Sequence, residues 1–474
     1  MSDLPGSADI AEFGMLLAAL IGLQFAEAKY DDLGHVLHNR MQSHNLGCAA
    51  YLEYLRHAPN RDELARLARD LTIGETYFLR HAEQFQALTE LVLPEYAARA
   101  VALPVGILSA GCSSGEEAYS IAMMLRERFP QLASDITAFD LNPAVLEKAG
   151  RGIYGKWALR ACSDATRAHW FKKSGDNVEL DPEIRAMVRF EERNLAESAP
   201  GFWLEARFDV IFCRNVLMYF SPAQAQAAVA RMAYALAPGG YLFLGHAETL
   251  RGLSNDFHLC HTHETFYYQR KDVLARHEEP GGEPASRAPQ AQRPLHPLHL
   301  PHLGQDSGWF DAIARASERV RVLIPAEAGR DAAPRTEPDD GDTLLLKAIN
   351  ASHGGELDEA EALCRRLLAD DEMSAGAHYV LALCREGRGA ADDAFEHDRI
   401  AAYLDPGFAM PRLHMGLSLR RAGQRLAARH ELETAATLLQ LEDPARVLLF
   451  GGGFQRDALI ALCRAELDAL ETQA

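Results

Sequence analysis

No stretch of this chain is apolar for long enough to cross a bilayer. The longest N-terminal candidate, Met15 to Ala26, is too short and has no basic flank, so neither a membrane segment nor a signal peptide is expected. Cysteine is scattered: eight residues among 474, none in a Cys-x-x-Cys pair. That argues against a zinc ribbon or a disulfide framework and for reduced cytosolic thiols. Basic charge is also in short supply. Lys and Arg number 48 against 67 Asp and Glu, a net charge of -19, and this balance excludes a general nucleic-acid binder. Around Gly111 no Gly-Lys-Ser/Thr follows the glycines, which rules against a P-loop, and Gly-x-x-x-Gly is not the dinucleotide spacing. What remains is an acidic, cytoplasmic chain long enough for about three domains.

The most informative stretch runs from Val105 to Phe129. Val105 to Leu108 reads as a buried strand, Gly111 and Gly115 bracket a turn of small residues, and Glu116-Glu117 opens an amphipathic helix. Strand, glycine turn and helix form the first unit of a nucleotide-binding α/β fold. Acids at a helix start disfavour phosphate and suit a ligand with hydroxyls or positive charge, such as S-adenosylmethionine. The plainer alternative is a tight turn with no ligand. Asp135 to Asp140 reads as a second strand whose terminal acid, Asp140, stands where ribose hydroxyls would be gripped. Asn142 caps and Pro143 starts a helix to Ala149. From Phe171 to Arg193 the text is hairpin-like, with a turn at Gly175-Asp176-Asn177 and alternation from Val188 to Glu191. Phe208 to Cys213 is another buried strand. Ser221-Pro222 starts a helix to Leu236 that Pro238-Gly239-Gly240 ends, and Tyr241 to Gly245 and Glu264 to Gln269 supply further strands. A mainly parallel sheet covered on both faces is expected.

Ahead of the sheet, residues 9–99 read as helical. Phe13, Leu16, Leu17, Leu20, Ile21 and Leu23 form one apolar stripe, and Asn60 is a plausible cap. Lys29, His35, His38 and Arg40 are interleaved on the second helix, as a solvated face or a face toward an acidic partner. Leu71 to Arg80 breaks the periodicity. Tyr77 and Phe78 are either packing plugs or part of a lid over a cofactor, with Thr76 and Arg80 as polar contacts. Residues 271–342 are rich in Pro, Gly, Ala and Arg and read as a mostly disordered linker. Within it His296, His299 and His302 lack the rigid frame a metal site needs, and Trp309 to Leu323 could be a short docking helix. Beyond it Gly355, Gly389 and Gly423 recur every 34 residues, as do Ala360, Ala394 and Ala428, and Ala348, Ala382 and Gly416. That period, with small residues where helices cross and Asp405-Pro406 at a turn, is the tetratricopeptide signature. Such arrays bind peptides or proteins, although an array that only dimerises or stiffens the chain has the same pattern. Gly451 to Gly453 break the chain before a capping helix from Gln455 to Leu470.

Taken together, Glu75 to Arg80, Ser109 to Glu117, Phe139-Asp140, Gly152-Ile153-Tyr154, Phe212 to Phe220 and Gly239 to Glu248 resemble the CheR family of chemoreceptor glutamate O-methyltransferases, some of which carry tetratricopeptide repeats. The resemblance covers about residues 10–270. It implies an α/β fold: a Rossmann-like S-adenosylmethionine-dependent methyltransferase domain (100–270) with a small β-subdomain at about 171–193. A small all-α domain with the lid loop (1–99) would precede it. The linker (271–342) and an α-solenoid of tetratricopeptide repeats with its capping helix (343–474) would follow. It also implies a protein-glutamate O-methyltransferase that turns S-adenosyl-L-methionine into S-adenosyl-L-homocysteine. The substrate would be the cytoplasmic helical bundle of a chemoreceptor, in sensory adaptation, with a protein or peptide partner in the repeat groove. On the same resemblance the cofactor would be held by Gly74, Thr76, Arg80, Gly111, Glu117, Asp140, Asn194, Leu195, Arg214 and Asn215. Asp140 would sit on the ribose, and Arg80 and Tyr219 nearest the transferred methyl and the incoming carboxylate. Gly74 stands where the family often has Asn, removing one side-chain contact, and the inserted subdomain reads as short for tethering a receptor tail. Two other functions fit the residues: methyl transfer to another protein or a small molecule, and a cofactor-binding scaffold without turnover.

Overall fold

The computed structural model describes residues 5–57, 59–72, 74–99, 103–272 and 341–472. The chain divides into two units, Met1–Gly282 and Glu283–Ala474. The linker assigned to 271–342, its three histidines and the helix expected from Trp309 to Leu323 fall almost wholly outside the described residues.

The first unit opens with four helices, α1 (Ser7–Ile21), α2 (Tyr30–His44), α3 (Cys48–Arg56) and α4 (Arg61–Leu71). Their spacing of apolar residues brings Phe13, Leu17, Leu37, Tyr51 and Leu55 into one core, each fully buried. Burying a large apolar side chain contributes about 1.5–3 kcal/mol. Leu16 and Leu20 of the same stripe stay half-exposed. Asn60 caps α4 by accepting from the Glu63 amide at 2.8 Å. Arg40 does not face outward. It is buried and pairs with Glu63 through Nε (2.8 Å) and Nη2, while Tyr51 Oη (2.6 Å) and His44 Nε2 (2.7 Å) meet the same carboxylate. A buried charge is stable only when paired and hydrogen-bonded, which is what sequestered this residue from the surface pattern.

The sheet has the order β6–β2–β1–β7–β8–β10–β9. Its strands are β1 (Val105–Ala110), β2 (Ser134–Asp140), β6 (Val188–Glu192), β7 (Phe208–Cys213), β8 (Leu236–Leu244), β9 (Phe257–Thr262) and β10 (Thr265–Arg270). All pairings are parallel except those of β10, which runs against β8 and β9. The short helices α5 (Ala82–Ala87) and α6 (Leu93–Ala97) precede the sheet, α7 (Glu116–Arg128), α8 (Pro143–Arg151) and α11 (Pro222–Ala235) cross between strands, and α9 (Asp164–Trp170) and α10 (Pro182–Ala186) lie between α8 and β6 in the chain. The chain leaves β1 toward β2 on one side and returns to β7 on the other, so the order reverses between β1 and β7. A ligand crevice lies at such a reversal, beyond the carboxyl ends of the strands.

Two local readings change. Val188 to Glu192 alternates like a hairpin strand, yet it pairs in parallel with β2, Ile136 opposite Val188, as the edge of the main sheet. Alternation defines a half-buried strand without naming its partner. The small subdomain is instead a three-stranded sheet, β3 (Ile153–Tyr154), β5 (Asn177–Leu180) and β4 (Phe171–Ser174), so it begins earlier than 171 and ends before 188. Pro238-Gly239-Gly240 also does not sit in a turn. α11 stops at Ala235, and these residues lie in the irregular start of β8, opposite a register shift in β7.

Among its described residues the second unit contains three helix pairs: Gly341–His353 with Leu357–Asp370, Ala375–Gly387 with Ala391–Leu404, and Ala409–Arg421 with Arg425–Leu441. Gly355, Gly389 and Gly423 have φ of 78, 78 and 74° and turn the chain within each pair. Ala348 and Ala382 are fully buried, and a Cβ on Gly416 would come 2.8 Å from Leu432 Cγ. A short helix, Pro444–Phe450, precedes the last one, Arg456–Thr472. Among the described residues no helix is long and apolar enough to cross a membrane.

Burial opposes ionisation of Glu63, but hydrogen bonds from Arg40, Tyr51 and His44 hold its carboxyl at about 2. A depressed folded-state value gives stability that is present above the unfolded pKa and is lost as pH falls toward about 2. Glu63→Gln should leave the Arg40 charge buried and unpaired and lower stability by about 3–5 kcal/mol in urea denaturation at neutral pH. An unchanged midpoint would make the network ornamental.

Candidate functional site

The turn after β1 is built for close approach. Gly111 has φ 75°, and a Cβ there would lie 2.4 Å from Val216 Cγ2. Only glycine lets the backbone turn here while β7's following loop packs over it. The amides of Gly111 and Cys112 both donate to Phe139 O, at 2.8 and 2.9 Å, tying the turn to the end of β2. Asp140 completes the tie. Its Oδ2 accepts from Ser113 N (2.8 Å) and its Oδ1 from Asn142 N (2.9 Å). Burial raises its pKa, and these amides act against that. A carboxylate offers about four acceptor positions. Asp140 therefore holds the turn and keeps lone pairs for a diol.

A buried charge pair crosses the floor. Glu117, on the first turn of α7, accepts from Ser109 Oγ at 2.6 Å, and its Oε2 lies 2.9 Å from Arg214 Nε, out of line for a hydrogen bond. Arg214 Nη1 donates to Arg80 O (2.7 Å) and to Gln84 Oε1 (2.9 Å), and Gln84 Nε2 donates to Leu244 O (2.8 Å). Burial pushes the guanidinium below its usual range and Glu117 draws it back. Asn215, in the left-handed region at φ 58°, has its amide held by Glu248 Oε2 at 2.7 Å. Glu248 also accepts from Gly245 N (2.8 Å) and Met218 N (3.2 Å). Asn215 Oδ1 is left buried with no hydrogen-bond partner among the described residues.

The loop 74–81 closes one side. Ser113 Oγ donates to Gly74 O at 3.3 Å, so the missing side chain at 74 is met by a backbone contact to the glycine turn. Phe78 is the packing plug, fully buried and edge-on to Tyr154 and Phe171 at 4.8 and 5.0 Å. Leu79 and His81 have φ of 57 and 59°, strain that recurs at binding loops. Arg80 has its carbonyl held by Arg214, while its guanidinium turns back to Glu75 O (3.1 Å). Burial and the nearby Arg214, His246 and Arg80 charges hold His81 at about 4, hence neutral. Its ring lies 4.6 Å from that of His246.

Gly111 and Asp140 thus share one hydrogen-bonded unit, Arg214 is hydrogen-bonded to Arg80, and Glu117 joins Arg214 through a charge contact. Asn194 and Leu195 follow Arg193, whose amide donates to Asp140 O at 3.1 Å. The Asn194 side chain is spent on Ala196 N (2.8 Å), and Leu195 O accepts from Arg231 (2.6 Å). Thr76 and Tyr219 are half-buried in the flanking loops, and among the described residues no side-chain hydrogen bond joins them to the rest. The sequence reading overlooked Gln84, His81 and Glu248. Glu248 had one signal, its place just after a strand and Gly245, whereas nothing marked Gln84.

The residues fit S-adenosylmethionine: a glycine cradle, an acid with spare acceptor positions for a ribose, and an unpartnered acceptor at Asn215. Switch-point crevice and donor set define the class of α/β methyltransferases that use this cofactor. The family model "CheR methyltransferase, SAM binding domain" matches residues 74–266. The chain is 30% identical to the "Probable biofilm formation methyltransferase WspC" of Pseudomonas putida, over 81% of this chain and 88% of that one. It is 28% identical to the protein of the same name from Pseudomonas aeruginosa, over 90% and 97%. It is also 37% identical to "Chemotaxis protein methyltransferase 2" of Vibrio cholerae, over 44% of this chain and 74% of that one. The chain belongs to the CheR methyltransferase family, and its cofactor is S-adenosylmethionine.

Asp140→Ala removes the side-chain tie to the turn at Ser113 and the one to Asn142, and should weaken S-adenosylmethionine binding at least tenfold, about 1.4 kcal/mol, by calorimetry. Gly111→Ala forces Cβ against Val216 and should abolish measurable binding. Wild-type affinity in either variant would move the cofactor elsewhere.

Proposed function

We propose that this protein methylates glutamate side chains in the cytoplasmic domain of a chemoreceptor, forming esters that serve sensory adaptation. The observation that carries this is the commitment of the crevice carboxylates. Asp140 is engaged by amides, Glu117 by Ser109 and Arg214, and Glu248 by three amides. His81, held at about 4, is a poor base near neutrality. An acceptor that is already ionised suits such a site, because a glutamate oxygen at pH 7 has no proton to give up.

When bound, the cofactor supplies a methyl on a good sulfonium leaving group. An ionised acceptor oxygen would leave this chain no proton to remove. The protein's part is alignment and exclusion of water, which can contribute about 7–11 kcal/mol. In this reading Asp140 would hold the ribose, Asn215 Oδ1 would accept from the cofactor, and Arg80 would leave Glu75 O to orient the incoming carboxylate. Tyr219, in the loop after β7, would stand near the methyl. Arg80 should orient rather than clamp, since tight ground-state binding would not lower the barrier. Esterification removes a negative charge and so alters repulsion along a receptor helix bundle. The two relatives that match over four-fifths or more of this chain are named for biofilm formation, which supports a receptor of surface-attached growth. The repeats would recruit a protein segment in that pathway.

Full-length protein with tritiated S-adenosylmethionine and receptor cytoplasmic fragments should yield base-labile volatile counts. Stable counts would mean another acceptor, and bound cofactor without transfer a scaffold. Arg80→Ala should lower transfer about thirtyfold, or about 2 kcal/mol, with an unchanged unfolding midpoint. Parallel loss of activity and stability would make Arg80 structural.

A further inference from the structure

The loop that carries Arg80 is bolted to an exposed aromatic that the chemistry does not need. Trp157 is 71% exposed, on the short turn Lys156–Leu159 of the subdomain. The Arg160 guanidinium lies 4.4 Å from the Trp157 ring centre and 3.6 Å from that of Tyr77. Arg160 Nη1 donates to Trp157 O at 3.0 Å, and Nη2 lies 3.4 Å from Glu75 Oε1. Phe78 N donates to Ala158 O at 2.9 Å. The stack Tyr77–Arg160–Trp157 is therefore one rigid piece with the loop beside the crevice, and its outer member is bare.

Charge around it runs against the rest of the chain. Residues 151–173 hold six Lys or Arg and one acid, Asp164, in a chain of net charge -19. Lys156, next to the indole, is exposed. An exposed Trp with Arg160 stacked on it and Lys156 adjacent suits a partner that is apolar on one face and acidic around it. The acceptor of the proposed reaction has that chemistry: a carboxylate on a helix whose apolar face belongs to a bundle.

We propose that Trp157, stacked on Arg160 and Tyr77 and flanked by Lys156, is the platform on which an acidic amphipathic helix docks to present its glutamate. This rests on the glutamate reading above. The platform sets substrate affinity and register, and it does not touch the cofactor. The test uses full-length Trp157→Ala, Trp157→Phe and Lys156→Glu with receptor cytoplasmic fragments and tritiated S-adenosylmethionine. Trp157→Ala should raise KM for the fragment about tenfold, as loss of an interface tryptophan does. Its kcat and its cofactor affinity by calorimetry should match wild type, and Trp157→Phe should recover most of the KM. Lys156→Glu, a surface change that leaves the fold alone, should raise KM and flatten its dependence on salt. Wild-type KM in both Trp157→Ala and Lys156→Glu overturns the platform and leaves the glutamate reading standing. No base-labile counts from the wild-type protein overturns both.

Discussion

The contact between Arg214 and Glu117 is the constraint on which the first unit depends. It joins the end of β7 to the first turn of α7, and through Nη1 it reaches the carbonyl of Arg80 and the side chain of Gln84. Two central strands, the glycine turn's helix and the loop 74–81 are thus referred to one buried guanidinium. Such a group is costly to bury and costlier to leave alone: removing one partner of a buried pair loses about 3–5 kcal/mol. The loop therefore closes where Arg214 allows. A fork of fixed donors gives this register a rigidity that a lysine would lack.

The rest of the crevice follows the same economy of polar atoms. Asp140 holds the turn from below while remaining able to accept more, and Glu248 gathers three amides of two loops. Asp140 and Glu248 organise backbone, and Glu117 is engaged by the Ser109 and Arg214 side chains. That is why the chemistry best suited to the site is transfer to an acceptor that arrives ionised. In the proposed reading the basic, aromatic face around Trp157 would extend the same logic outward by meeting an acidic partner.

Much of this was legible in the residues. The run from Val105 to Phe129 shows its strand, turn and helix through apolar continuity, paired glycines and acids at a helix start, all local signals. Asn60, Asn142 and Ser221 announce helix starts because a cap is satisfied within three residues. The 34-residue step of Gly355, Gly389 and Gly423 is visible because each repeat solves the same turn. Val188 to Glu192 shows the boundary of such reading. Its alternation is real, but β2 as its partner lies almost fifty residues away. Arg40 shows it again, a surface charge by pattern that Glu63 draws inside.

The sequence by itself determined the fold class, the family, the cofactor and the repeat array, because periodicity, capping and motif spacing act over a few residues. Only the tertiary structure decided which polar atoms are spent and which are left over. Gln84 on Arg214, Glu248 on Asn215, Arg80 turned toward Glu75, and Trp157 bare on its stack all depend on elements far apart in the chain. Hydrogen-bond satisfaction is a property of the folded neighbourhood, and no local pattern encodes it.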